Sequence, residues 1–241
     1  MTALVQCPSK VSDDTAYDDV ENWKPDALLL VAGKRKSGKD FVAKLLQQCL
    51  VRNSQESVAV IPVHISDPLK REFAQIHGLA YEELLTASQY KELYREAMVL
   101  WGEDVRKRDS SYFCRSAIQE ARSVKSERAD VVVWIVCDCR RHSDISFFGD
   151  TFHLKSLVLR LRVEATEEVR RQRGWAFVPG IDDQETECGL DDVDEWHCVL
   201  QNDDSTIYSQ VDVLSRYILT STASRKHNPT VAFTFHLIFH S

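Results

Sequence analysis

Two glycines five positions apart, Gly33 and Gly38, enclose Lys34, Arg35, Lys36 and Ser37, and Lys39 and Asp40 follow directly. Glycines at this spacing let a loop curl with its N–H groups pointing inward. A lysine at the point where a helix must begin adds a positive charge, and the pair of features holds a nucleotide triphosphate tail. The spacing matches the Walker A pattern G-x-x-x-x-G-K-[ST] except at its last position, where Asp40 replaces the Mg²⁺-binding hydroxyl. A second chemical signal is Asp138-Cys139-Arg140-Arg141, which ends a continuous apolar run at 131–137. Ligands of open parallel sheets bind beyond the carboxyl ends of the strands. Asp138 there suits a Mg²⁺-organising acid, and Arg140 and Arg141 suit a clamp on an acceptor phosphate; the plain alternative is that Asp138 caps a helix. Further cations are scattered at Lys70, Arg71, Lys91, Arg95, Arg106, Arg108, Arg115, Arg170, Arg171 and Arg173. Each alone is an ordinary solvated charge, and only convergence in space would make them a site.

The elements that must position these residues are legible as patterns. The apolar run 27–32 reads as a buried strand entering the glycine loop, and Phe41, Val42, Leu45, Leu46, Cys49 and Leu50 recur at helical spacing after it. Residues 58–65 form a second apolar run, but Pro62 cannot donate a ladder hydrogen bond, which places that strand at a sheet edge. Ser66-Asp67-Pro68 opens a helix, with Ser66 or Asp67 as cap, and Gly78 ends it. Helices follow at 81–85, 90–105 and 112–124. Residues 131–137 read as a strand covered on both faces, and 154–163 as another strand. A helix at 166–172 precedes a stretch, 174–183, in which two glycines and a proline bound an aromatic pair. That stretch reads as the centre of a lid spanning about 170–192, which a phosphoryl-transfer site needs to exclude water. A strand at 196–200 running to Asn202 and a helix at 207–219 close the fold. Alternating strands and helices, without internal repeats, indicate α/β architecture: a three-layer sandwich around a central parallel sheet.

The 241 residues, 44% apolar and 28% charged, suffice for one large core. Residues 1–25 read as a flexible acidic leader, 26–219 as the folded domain and 220–241 as a tail outside it. In that tail, 220–230 has the composition of a linker, and 231–240 alternates like a strand, expected to stay unpaired and aggregation-prone. A net charge of −7 argues against a general nucleic-acid or anionic-membrane partner. No stretch is long enough to span a bilayer. Seven scattered cysteines, without a second pair to answer Cys137 and Cys139 at zinc-site spacing, fit a reducing compartment.

With those residues in place, the chain closely resembles the animal-type phosphomevalonate kinases, which share the nucleoside-monophosphate-kinase-like P-loop fold. The resemblance rests on residues 33–41, Asp67-Pro-Leu-Lys70, Tyr90-Lys-Glu92, Trp101-Gly-Glu103, Phe113-Cys-Arg115, Arg140-Arg141 with Ser143-Asp-Ile145, and Arg173-Gly-Trp175 through Glu187-Cys-Gly-Leu-Asp191, and it spans roughly 28–219. It implies transfer of the ATP γ-phosphoryl group to (R)-5-phosphomevalonate in isoprenoid and sterol synthesis, with Mg²⁺, by a cytosolic monomer. Asp40 belongs to that family's pattern. The resemblance further implies that Gly33, Lys34, Arg35, Lys36, Ser37, Gly38, Lys39 and Asp40 bind ATP, with Arg35, Lys36 and Lys39 on the transferring phosphates; Asp40 in the loop and, from its strand-end position, Asp138 are the expected metal ligands. Arg170, Arg173 and Asn202 would join the nucleotide side. Lys70, Lys91, Arg95, Arg106, Arg115, Arg140, Arg141 and Arg173 would face phosphomevalonate. Two departures stand out: Asp67 where the family has glycine, and Asp203-Asp204 where it has His-Gly. The rival readings are another small-molecule or nucleoside-monophosphate kinase and a non-catalytic kinase-derived scaffold. A GTPase switch is disfavoured because no Asn-Lys-x-Asp guanine-reading segment is present.

Overall fold

The computed structural model describes residues 24–86, 89–124, 129–227 and 237–238; the leader, apart from its last two residues, lies outside them. In chain order the elements are β1 (Ala27–Ala32), α1 (Lys39–Asn53), β2 (Val58–Val63), α2 (Ser66–His77), α3 (Tyr81–Leu85), α4 (Gln89–Arg108), α5 (Tyr112–Ser123), β3 (Val131–Val136), α6 (His142–Phe152), β4 (Leu157–Glu164), α7 (Glu167–Gln172), α8 (Glu185–Cys188), β5 (Cys198–Gln201), α9 (Thr206–His227) and β6 (Leu237–Ile238). The strands form one sheet in the order β2-β3-β1-β4-β5-β6, and every pairing is parallel.

β1 sits between β3 and β4 and is buried along its whole length. A central parallel strand is covered on both faces, which is why its sequence shows no polar alternation. Leu29 and Val31 point into a core shared with α1 and α9, while Leu28 and Leu30 point into a second core built with α5 and α6. These two cores make the three layers. A satellite cluster of Phe73, Ala74, Leu84 and Met98 joins α2, α3 and α4. Pro62 lies in β2, which among the described residues pairs only with β3, so the proline sits on the edge that the sequence required.

Three expectations fail. The cap of α2 is neither Ser66 nor Asp67, because Ile65 takes the cap position without a side-chain bond and a carboxylate from β3's end serves instead, as described below. The supposed linker after residue 219 is helical through His227. Its hydroxyls return to the helix backbone: Thr220 Oγ1 donates to Arg216 O at 2.9 Å, Thr222 Oγ1 to Ile218 O at 3.0 Å and Ser224 Oγ to Thr220 O at 2.9 Å. Back-bonding of this kind lets Ser and Thr persist inside a helix where composition suggests a turn. Beyond it, Leu237 and Ile238 pair with Cys198 and Val199, so these two residues form an edge strand where an unpaired segment was expected; the remainder of 228–241 lies outside the described residues.

Candidate active site

The topology brings the two chemical signals together. Because β1 and β3 are neighbours and parallel, the loop after β1 and the Asp138–Arg141 turn after β3 leave the sheet side by side, at the end where open parallel sheets bind ligands.

The loop is locally constrained. Lys36 and Gly38 both take left-handed backbone angles, φ 64° and 86°, and turns of this kind point successive N–H groups into one concavity. Gly33 is packed so closely that a Cβ there would lie 2.6 Å from Val163 O. Gly38 is pressed against the side-chain amide of Asn202, so its glycine is demanded by both angle and space. Asn202 is buried and donates through Nδ2 to Ser37 O at 2.8 Å. Arg173 donates through Nη1 to the same carbonyl at 3.0 Å and through Nη2 to Asn202 O at 2.6 Å. These two residues, expected to touch ligands, hold the loop's backbone in shape.

The loop's cations divide into two pairs. Lys34 Nζ lies 2.6 Å from Asp191 Oδ2. Arg35 reaches Asp182 through Nε at 3.1 Å and Nη2 at 2.8 Å, and donates through Nη2 to Ala176 O at 2.7 Å. Both therefore bind the segment expected to be the lid. The ammonium groups of Lys36 and Lys39 form no hydrogen bond or ion pair among the described residues, although the Lys36 carbonyl accepts from Arg173 Nη1 at 3.4 Å. Burial depresses the Lys39 pKa, Arg140 depresses it further, and Asp40, Glu187 and Asp138 partly oppose them. Asp40 is exposed in the first turn of α1.

The lid segment closes over the loop by carboxylates and stacking. Trp175 Nε1 donates to Asp182 Oδ1 at 2.9 Å, and the Arg170 guanidinium lies 4.1 Å from the Trp175 ring centre while its Nε donates to Arg35 O at 2.9 Å. Glu187 bridges the two halves of the site: one oxygen accepts the Arg35 backbone N–H at 2.8 Å and the other is paired with the Arg140 guanidinium. A carboxylate on a loop amide and an arginine occupies the kind of position that a phosphate oxygen would take. The cavity left between loop and lid is only about 10 Å³, lined by Gly33, Lys34, Arg140, Arg162 and Glu187 among others.

On the other side the scattered cations converge in part. Burial lowers the Lys91 pKa, and Lys70, Arg95 and Arg140 lower it further, which marks these four groups as electrostatic neighbours. Arg141 is buried beside Glu103, and Arg106 lies 3.4 Å from Asp144. Arg115 instead pairs with Asp109 near the turn between α4 and α5.

Asp138, expected to organise a metal, has both oxygens engaged: Oδ1 accepts Ile65 N–H at 2.7 Å and Oδ2 accepts Ser66 N–H at 3.0 Å. Burial pushes its pKa up, but His64 and these bonds outweigh burial and leave it below the usual carboxylate range. It caps α2 from the neighbouring strand, which is the plain alternative the sequence offered. The departures from the family pattern also find uses. Asp67 pairs with Lys70 at 2.9 Å, Asp203 accepts Thr166 N–H at 2.7 Å ahead of α7, and Asp204 accepts Thr206 N–H at 2.7 Å at the start of α9.

The family model for phosphomevalonate kinase matches residues 31–154, which contain the loop, the α2–α5 cations and the arginine pair. A phosphomevalonate kinase of Drosophila melanogaster is 39% identical over 188 residues, covering 78% of this chain and 94% of that protein. The chain belongs to the phosphomevalonate kinase family. Among solved structures, an APS kinase of Mycobacterium tuberculosis has 11% identity, a TM-score of 0.40 and coverage of 84% of this chain and 99% of its own. A shikimate kinase of Acinetobacter baumannii has 12% identity, a TM-score of 0.36 and coverage of 84% and 96%.

What the sequence reading missed in this phosphomevalonate kinase fold are the acids. Asp144, Asp182, Glu187 and Asp191 hold the cations in place, and no cation-directed search selects them. All four stood inside the motif stretches that carry the resemblance: Ser143-Asp-Ile145, and Arg173-Gly-Trp175 through Glu187-Cys-Gly-Leu-Asp191.

Proposed function

We propose that this member of the phosphomevalonate kinase family transfers the γ-phosphoryl group of ATP to the phosphate of (R)-5-phosphomevalonate, giving (R)-5-diphosphomevalonate and ADP. The observation that carries the reading is the meeting of the phosphate loop and the arginine turn at the ends of two adjacent parallel strands, where Glu187 takes the Arg35 N–H with one oxygen and the Arg140 guanidinium with the other; Lys39 on the loop side and Lys91, Lys70 and Arg95 on the other bring two cation sets toward that junction. Bringing a phosphate dianion up to a triphosphate is strongly repulsive where water is excluded, so two negatively charged substrates need such a double array.

The acceptor phosphate is already ionised, and no side chain has to take a proton from it. The loose transition state depends on positioning and on charge stabilisation. The loop amides and Lys36 hold the triphosphate, and Lys39 stabilises charge on the group in transfer. Arg140 and Arg141 fix the acceptor through paired hydrogen bonds, for which the planar guanidinium is suited. Closure of the segment 170–192 excludes water, which would otherwise accept the phosphoryl group. Mg²⁺ is held in such sites by one or two carboxylates together with substrate phosphates. Asp40 fits that need, whereas Asp138 is engaged with α2. Bound there, the ion would neutralise phosphate charge. The product would feed isoprenoid and sterol synthesis, and the reading is of a cytosolic monomer.

The test is a coupled ADP-release assay offering phosphomevalonate, mevalonate, AMP and CMP in turn. Turnover is expected with phosphomevalonate alone. Turnover on AMP or CMP without phosphomevalonate would replace this reading with that of a nucleoside-monophosphate kinase, and no turnover on any of them would leave a scaffold.

A further inference from the structure

We infer that Asp144 is a positioning residue for the acceptor-side arginines, setting three of them with one buried carboxylate; the inference rests on the reading of Arg106, Arg140 and Arg141 as acceptor contacts. Asp144 is 1% exposed. Its Oδ2 accepts the backbone N–H of Arg140 at 3.0 Å and of Arg141 at 3.1 Å. Its Oδ1 faces Arg106 Nη1 at 3.4 Å and the Cys114 thiol at 3.6 Å.

A helix cap alone explains only half of this. Asp144 is the third residue of α6, and an acid there commonly accepts the N–H of the cap residue, here Arg141. Capping makes no use of Oδ1, which leaves the helix and meets an arginine of α4. The Arg106 guanidinium is further fixed 5.0 Å from the Phe113 ring centre. A guanidinium carries five donors, so one edge can rest on Asp144 while the other remains available to an acceptor phosphate. A single carboxylate thus ties α4 to the β3–α6 turn and sets the spacing between Arg106 and the Arg140–Arg141 pair. Small displacements of such groups cost disproportionately in phosphoryl transfer, because placement is most of the catalysis.

The experiment compares full-length wild type, Asp144→Asn, Arg106→Ala and the double variant in steady-state kinetics, with thermal melting alongside. Asn keeps an oxygen for the two backbone N–H groups but turns an amide toward Arg106. Expected for Asp144→Asn is a rise of about tenfold in KM for phosphomevalonate, the scale of one lost charge-assisted contact, with KM for ATP and the melting temperature near wild type. On the Arg106→Ala background the same change should add nothing. Asp144→Ser, which is smaller than the site and still an acceptor, must show the same split, and it decides the matter if the Asn variant does not fold. An unchanged KM for phosphomevalonate, equal losses for both substrates, or an undiminished effect on the Arg106→Ala background would overturn the inference while leaving the functional reading intact. Wild-type failure to phosphorylate phosphomevalonate would bring down the functional reading, and the inference with it.

Discussion

Arg35 and Arg141 each bring a guanidinium to the site, yet they are held in different ways. Arg35 is fixed by Asp182, on a segment between α7 and β5 whose backbone turns at Gly174 and Gly180 with φ 78° and 77°. Arg141 follows β3 almost directly, and its backbone is fixed by Asp144, which is part of the packed interior. The nucleotide side is thus anchored by carboxylates of the segment between α7 and β5, whereas the backbone of the acceptor-side arginines is anchored by a carboxylate of the packed interior, with Glu187 of the outer segment added on the Arg140 guanidinium. Local opening is governed by how much buried contact must be broken. A site that must admit a large triphosphate and then exclude water gains from a movable half. A site that must align a small phosphate gains from a fixed one.

The largest break in this arrangement is Lys39→Met. It removes the loop cation at the first position of α1, which feels both Asp40 of the loop side and Arg140 of the acceptor side, so the turnover number should fall by about two to three powers of ten, as on deletion of one donor aimed at transition-state charge. The melting temperature should hold, since Lys39 forms no ion pair among the described residues. Steady-state kinetics with phosphomevalonate check it, and an unchanged turnover number would remove Lys39 from the mechanism.

Arg140→Ala and Arg141→Ala come next, and they sharpen the division of sides. Each should raise KM for phosphomevalonate by about 10- to 100-fold, the range for hydrogen bonds to charged groups. KM for ATP should stay within a few-fold. Collapse of ATP affinity with phosphomevalonate affinity preserved would mean that the sides are exchanged.

How far the sequence foretold this division depends on which half is considered. Gly33, Gly38 and Lys39 announce the loop because their spacing is local, and the 27–32 run announces its strand because a central parallel strand must be apolar throughout. The edge position of β2 follows from Pro62 alone. Asp138 was legible as a strand-end acid, but its role was not, since the N–H groups it caps belong to Ile65 and Ser66, 72 to 73 positions away. The acids of the lid were illegible for the same reason: Asp182 meets Arg35 across 147 positions and Glu187 meets it across 152. The helical run after 219 was misread because composition reports Ser and Thr as turn formers, and only the helix itself offers their hydroxyls a carbonyl four residues back.

Asp182→Asn breaks the movable half. It weakens the hold on Arg35, the Trp175 indole and the Val178 N–H together. The turnover number should drop by about tenfold, on the scale of one charge-assisted hydrogen bond. ATP hydrolysis without an acceptor should rise relative to transfer, since water gains entry. ADP release measured with and without phosphomevalonate reads both effects. A fall in turnover without any rise in that ratio would mean that the segment does not serve to exclude water.

The smallest effect is one of acidity, and it tests whether the lid carboxylates act as ions. Burial raises the pKa of Asp182, but the Trp175 indole, the Val178 N–H and Arg35 outweigh it and leave the group below the ordinary value. For Asp191, burial likewise works upward and is outweighed by Lys34 and Arg162. A carboxyl depressed in the folded state contributes stability that is fully present above its unfolded pKa, about 3.9. That stability is lost as pH falls through the lower folded value. The lid contacts should therefore hold from neutrality to about pH 5 and weaken below pH 4. Lys34 and Asp191 are more than a third exposed, so solvent screening keeps that pair to under about 1 kcal/mol. For a chain of this size that is about 2–4 °C in melting temperature. Melting curves at pH 6 and pH 3.5 should show a drop smaller by at least that amount in Asp182→Asn with Asp191→Asn than in wild type. An identical drop in both proteins would show that the lid carboxylates contribute no charge-dependent stability, and that the movable half is held by the stacking of Arg170 on Trp175.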